Sequence, residues 1–200
     1  MNLEQKDKYE YLKNTYYIDF KDKIIRHCVN ENFKNCDNEI EQIIRAYQFV
    51  RDEISHSVDI GSTRITITAS QVLKYKEGIC YAKSNLLAAL LRSMNIPAGF
   101  CYQRLTIGDS PESGYCIHAL NAAYISSLDK WVRLDARGNK EGINARFSLE
   151  KEYLAFPVRS MYDEIDYPII YANPLKCTMQ ALEDNTDCKE MYLHHLPTKI

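Results

Sequence analysis

Residues 69–101 read ASQVLKYKEGICYAKSNLLAALLRSMNIPAGFC, and this stretch decides the architecture. Ser70 is positioned to cap one or two helical turns, QVLKYK, which Gly78 breaks. From Cys80 the chain is helical and apolar almost all round, with Lys83, Ser84, Asn85 and Arg92 as the polar exceptions. A helix of that kind belongs in the middle of a fold rather than on its surface. Asn95 and Pro97 stop it. Strands follow at 98–107, 116–125 and 131–136, separated by the turn-rich segments GDSPESG and SSLDK. Helices first and antiparallel strands afterwards predict an α+β fold, with Cys80 at the N-terminus of a buried helix packed on an antiparallel sheet.

Upstream of that stretch, Asn38 and Glu41 have the spacing of a capping box. They open an amphipathic helix over about 39–56, with Ile40, Ile43, Ile44, Tyr47, Val50 and Ile54 on one face. A shorter helix is expected at about 21–33. TRITIT, residues 63–68, alternates like a short strand. The chain is read as one domain over 1–200, with a helical N-terminal arm at 1–38. A core at 39–137 follows, then a C-terminal extension at 138–200 packed on it.

Composition narrows the function. The 200 residues are 46% hydrophobic and 26% charged, as expected of a folded globular domain. A net charge of −2 removes the usual footprint of a nucleic-acid binder. No apolar run is long enough to span a bilayer, and the charged N-terminus has no signal-peptide core. Seven cysteines, an odd number without paired spacing, fit a reducing, cytoplasmic setting better than a disulfide framework or a zinc ribbon. No nucleic-acid or membrane partner is expected.

Cys80 follows the glycine turn GIC, His118 lies in the second strand, and Asp135 ends the third. An ordinary thiol of pKa near 8.5 is only a few per cent ionised at neutral pH, and the thiolate is the reactive form. A helix N-terminus offers unsatisfied N–H groups and partial positive charge. An imidazole can pair with the sulfur and protonate a departing amine, and a carboxylate beyond it fixes the tautomer. Cys80 is therefore the candidate nucleophile, His118 the general base and acid, and Asp135 the residue that orients it. Gln71 is the candidate oxyanion donor upstream of the nucleophile, with Tyr75 and Gln103 as rivals.

The quoted segment, with Gly-x-Cys, an apolar helix ending in Leu-Leu-Arg and then Ile-Pro-Ala, resembles the nucleophile region of the transglutaminase-like superfamily. HALNAAYI and KWVRLD resemble its His strand and its Trp-x-x-x-Asp strand, and VRDEISHS its preceding helix. The resemblance covers roughly 40–137 and implies a papain-like fold in a small, bacterial-type single-domain member. It implies Cys80, His118 and Asp135 as the triad of a cysteine-dependent amide or peptide hydrolase or acyl transferase working through a thioester. The substrate would be a peptide, a protein side chain or a small amide, and no cofactor or metal is implied. Many members carry Pro-Thr after the Asp, where this chain has Ala136-Arg137-Gly138-Asn139. The other class of reading is a non-catalytic protein- or ligand-binding module that kept the fold.

The remaining candidates have simpler readings. Cys28, Cys101, Cys177 and Cys188 are read as small buried hydrophobes. Cys116 shares a strand face with His118, as a neighbour or redox partner of Cys80, or as part of a Cys/Cys/His metal site. His27, His56, His194 and His195 are read as surface or packing residues, and Arg137 as a surface ion-pair partner. The Tyr- and Pro-rich segment 162–174 is read as lining the cleft or packing on the sheet.

Overall fold

The computed structural model describes residues 1–108 and 110–200. Along the chain run β1 (Asn2–Leu3), α1 (Lys23–Asn32), α2 (Glu39–Glu53), β2 (Ser55–His56), α3 (Ala69–Tyr75), β3 (Glu77–Gly78) and α4 (Cys80–Ser93). Then come β4 (Ala98–Thr106), β5 (Tyr115–Ile125), β6 (Lys130–Leu134), β7 (Ile165–Asp166), β8 (Ile169–Ile170), α5 (Lys176–Glu183) and α6 (Cys188–His194). The expected turn between β4 and β5 contains residue 109, which lies outside the described residues.

The main sheet has the order β6-β5-β4-β7 and is antiparallel throughout. Alternation along β5 divides its side chains between two cores. Ile117, Ala119, Ala123 and Ile125 join the helical core, whereas Leu120 and Ala122 pack with Tyr11, Cys101, Ile170 and Ala172 on the other face. With both faces covered, the strands read as nearly continuous apolar runs.

Every residue of α4 from Tyr81 to Arg92 is buried, so its few polar groups must find partners inside. Arg92 donates to the carbonyls of Lys13 at 2.7 Å, Ala98 at 2.7 Å and Ala172 at 2.5 Å, joining the N-terminal arm, the sheet and the C-terminal extension. Asn85 donates to the Ile67 carbonyl at 2.8 Å. Asn121 of β5 donates to the carbonyls of Ser84 at 3.1 Å and Gly99 at 3.2 Å, fixing the helix on the sheet.

Three local expectations are corrected. Residues 63–67 form no strand and pair with none. Their groups are satisfied singly, by bonds such as Thr66 Oγ1 to the Glu77 carbonyl and Cys188 N–H to the Thr63 carbonyl. Thr68, not Ser70, caps α3, because the Ser70 hydroxyl and N–H both donate to Asp19. Helix α2 ends at Glu53 because the chain turns extended, and Ser55 and His56 pair in parallel with Glu77 and Gly78. Among the described residues no helix is long and apolar enough to cross a membrane.

Candidate active site

Cys80 is the first residue of α4, and no side chain caps that helix end. The N–H groups of its first turn therefore have no competing acceptor from the cap residue's side chain. Gly78 makes the approach possible: a Cβ there would lie 2.9 Å from Thr66 Oγ1 and 3.1 Å from the Ala82 Cβ. Tyr81, next in the helix, donates its hydroxyl to the Ile117 carbonyl at 2.7 Å. That bond fixes the first turn of α4 beside the start of β5, one residue before His118.

His118 is 4% exposed, and its Nε2 bonds Asp135 Oδ2 at 2.9 Å. Cys80 lines the same cleft and is near enough to favour the charged ring as well. Burial disfavours the charged ring, but the Asp135 charge and hydrogen bond, aided by Cys80, outweigh it and push the pKa up to about 10. Asp135 lies just past β6 and is 1% exposed. Burial disfavours its charge too, yet His118 and the N–H groups of Ala155 and Arg137 hold its carboxyl below the usual range. Those N–H groups donate to Oδ2 at 2.9 Å and Oδ1 at 3.2 Å. The ring of Phe156 meets His118 edge-on at 5.1 Å between centroids.

A cleft of about 270 Å³ opens over this group. Its apolar wall includes Ile79, Leu105, Ile107, Phe156, Pro157 and Leu196, while Thr106, Arg137, Arg159 and Glu164 supply polar groups. Glu164 is the one residue of the 162–174 segment in the lining; Ile165–Asp166 and Ile169–Ile170 of that segment form β7 and β8. The walls carry balanced charge, since Arg159 pairs with Glu164 at 2.8 Å.

The structure thus brings Cys80, His118 and Asp135 together. It does not bring Gln71 to them: its side-chain oxygen accepts from the Ile67 N–H at 2.9 Å and closes the capping box of α3. Gln71 is absent from the cleft lining, as are Tyr75, which lies exposed against Arg64, and Gln103, buried opposite His118 on β4. Cys116 does line the cleft, and burial, with Cys80 and Glu164 nearby, pushes its thiol up to about 12. Among the described residues no group of three His, Cys, Asp or Glu is arranged to hold a metal ion.

One neighbour departs from its expected place, and a second lines the cleft. Arg137 is a buried cleft residue, not a surface one. Its guanidinium pairs with Asp59, with Nη2 to Oδ1 at 2.9 Å, and its carbonyl accepts from Lys83 Nζ at 2.9 Å. His56, read as surface or packing, is 5% exposed and lines the cleft. Its place in the cleft was not legible in the sequence, because a two-residue strand carries no periodic signal.

An antiparallel sheet with a buried helix that presents a cysteine toward a strand histidine defines the class: an α+β, papain-like fold. The profile of the transglutaminase-like superfamily matches residues 26–136, and the chain belongs to that superfamily of cysteine-dependent hydrolases and transferases. Among solved structures it is similar to a putative cysteine protease from Cytophaga hutchinsonii, with a TM-score of 0.54 and 20% identity. The similarity covers 66% of this chain and 43% of that one, and shows shared fold. No curated protein matches the chain.

Proposed function

We propose that the protein is a cysteine-dependent hydrolase of amide or peptide bonds, acting through Cys80, His118 and Asp135. The observation that carries the reading is the buried imidazole of His118, bonded to Asp135 at 2.9 Å and lining one cleft with Cys80, which is near enough to favour the charged ring. An imidazolium beside the sulfur is the partner that a thiolate needs. In the first step Cys80 Sγ attacks the carbonyl carbon, and the π electrons move to oxygen. The tetrahedral adduct collapses, the C–N bond breaks, and His118 gives its proton to the departing amine. Water then attacks the thioester, loses its proton to His118, and releases a carboxylic acid and the free thiol. Transfer to an amine follows the same course with the amine in place of water. Hydrolysis is favoured because water is abundant and no second-substrate site is legible.

The substrate class is a peptide, a protein side-chain amide or a small amide, entering a cleft whose wall is apolar around the sulfur. The core of the enzyme is 39–137, with the arm at 1–38 and the extension at 138–200 completing one domain. Seven free cysteines suit a reducing, cytoplasmic setting.

Iodoacetamide followed by peptide mass spectrometry tests the assignment. Burial pushes up the thiols of Cys28, Cys36, Cys101, Cys116, Cys177 and Cys188, so Cys80 is expected to be modified first at neutral pH. Electrophilic amide mimics should then trap an acyl group on Cys80. Cys80→Ala is expected to abolish turnover with the fold retained, and His118→Ala to lower it by at least ~10²-fold. Labelling of Cys80 no faster than of half-buried Cys36, or full activity in Cys80→Ala, would overturn the proposal.

A further inference from the structure

We propose that His56 is a further catalytic residue: its ring N–H and the backbone N–H of Cys80 together hold the oxyanion formed when the thiol adds to a carbonyl. The inference rests on the acyl-transfer reading above and adds the donor that Gln71 does not supply.

Four observations carry it. His56 lines the same cleft as Cys80 and His118. Parallel pairing of β2 with β3 puts His56 in register with Gly78, two residues before the nucleophile, so its backbone position is fixed. The ring is 5% exposed, yet among the described residues neither nitrogen has a hydrogen-bond partner, and Nδ1 is wholly buried without one. A buried imidazole normally satisfies both nitrogens, so an unpartnered one in a catalytic cleft points to a ligand. Finally, α4 begins at Cys80 with no side-chain cap, which leaves the first half of an oxyanion hole in place and a second donor wanting.

The surroundings suit a neutral donor. Burial and the positive charge of Arg137 push the ring's pKa down to about 3; Asp59 opposes this, and Lys83 and His118 add to it. One nitrogen keeps its proton throughout the neutral range while the ring carries no charge. His56 therefore does not compete with His118 as the acid. Tyr192 meets its ring edge-on, with centroids 6.3 Å apart, and holds it in place.

Two reagents at Cys80 separate an oxyanion donor from a structural residue. Acylation by p-nitrophenyl acetate passes through a tetrahedral oxyanion, with the acetyl carbon bonded to Sγ and p-nitrophenolate leaving. Alkylation by iodoacetamide displaces iodide in one step, with no oxyanion. His56→Phe keeps a ring against Tyr192 and removes the N–H. It is expected to slow acylation by ~10²–10³-fold, the range for loss of one oxyanion donor, with alkylation within about twofold of the parent. His56→Gln, which restores a neutral N–H, should recover at least about tenfold of the acylation rate. An equal fall in both reactions, or unchanged acylation, overturns the inference and leaves the acyl-transfer reading standing. Absence of reaction at Cys80 in the unsubstituted protein overturns both. If His56→Phe does not fold, His56→Leu against His56→Gln gives the same comparison with the same outcomes.

Discussion

Asp135→Asn removes one charge and almost no volume, so its effect can be worked from individual bonds. Asp135 Oδ2 serves both His118 Nε2 and the Ala155 N–H, and Oδ1 serves the Arg137 N–H. Asparagine has a single oxygen. Placed at the Oδ2 position it keeps two bonds and turns its amide N–H toward the Arg137 N–H. Placed at the Oδ1 position it keeps one bond and sets two donors against Ala155 and His118, forcing the ring proton onto the nitrogen that faces Cys80. The first orientation wins because it loses less. An unsatisfied buried donor costs about 1–3 kcal/mol, so the variant is expected to be destabilised by at least that amount at pH 7, with the lost ion pair adding to it. With the ring tautomer retained, its activity falls less than that of His118→Ala.

The pH dependence makes this prediction sharper. The folded-state pKa of His118 is raised to about 10, above the ordinary value near 6.5. The resulting stabilisation is fully present below pH 6.5 and is lost as pH rises through about 10. Without the Asp135 charge, burial holds the ring neutral, and the variant has no such slope in that window. The gap between parent and variant should therefore be widest near pH 6 and narrow toward pH 10, by at most about 1.4 kcal/mol per pH unit. Urea denaturation at pH 6, 8 and 10, with Cys80→Ala in both chains to remove the thiol's own titration, measures it. A gap that stays constant, or widens with pH, refutes the ion-pair reasoning.

Two further substitutions probe the frame of the site. Lys83→Met strands the carbonyls of Ile54 and Arg137, which Lys83 Nζ now reaches at 2.5 and 2.9 Å; a loss of about 1–3 kcal/mol in urea denaturation is expected, and an unchanged midpoint would contradict it. Gly99→Ala puts a Cβ 2.5 Å from Ile170 Cγ2 and 2.9 Å from the Tyr171 carbonyl, so about 1–3 kcal/mol of overpacking should appear as a lowered Tm, and wild-type stability would count against the packing of β8 on β4.

What the sequence revealed follows from how local each signal is. Helix α4 was legible because fourteen residues lie between a glycine turn and Asn95-Pro97, with apolar groups on every side. Strands β4, β5 and β6 were legible because each is long enough to show a pattern. The apolar–polar alternation of 63–68 misled, since a period of two reports extended backbone and says nothing about a partner strand. Gln71 misled for a related reason: an amide upstream of a nucleophile has the right chemistry, but three residues after Thr68 it has the right spacing for a capping box, and the local bond won. His56 and the short strands of the extension were beyond reach, because each is specified by a single pairing to residues distant in the chain.

That difference matters most at the end of the family match. The superfamily profile stops at residue 136, yet the groups that hold the site do not. Ala155 donates to Asp135, Phe156 covers His118, and Leu196 and Tyr192 wall the cleft. The Ile117 N–H, next to His118 in β5 and beyond the reach of β6, donates to the Pro197 carbonyl at 2.9 Å. Cys80, His118 and Asp135 come from the matched core, where helix and sheet fix them. Part of the cleft wall, including Phe156, Pro157, Arg159, Glu164, Tyr192 and Leu196, comes from residues past that core. Under the proposed function, Cys80, His118 and Asp135 would supply the chemistry from the matched core, and residues 156–196 would add to the wall that an amide meets on its way to the sulfur.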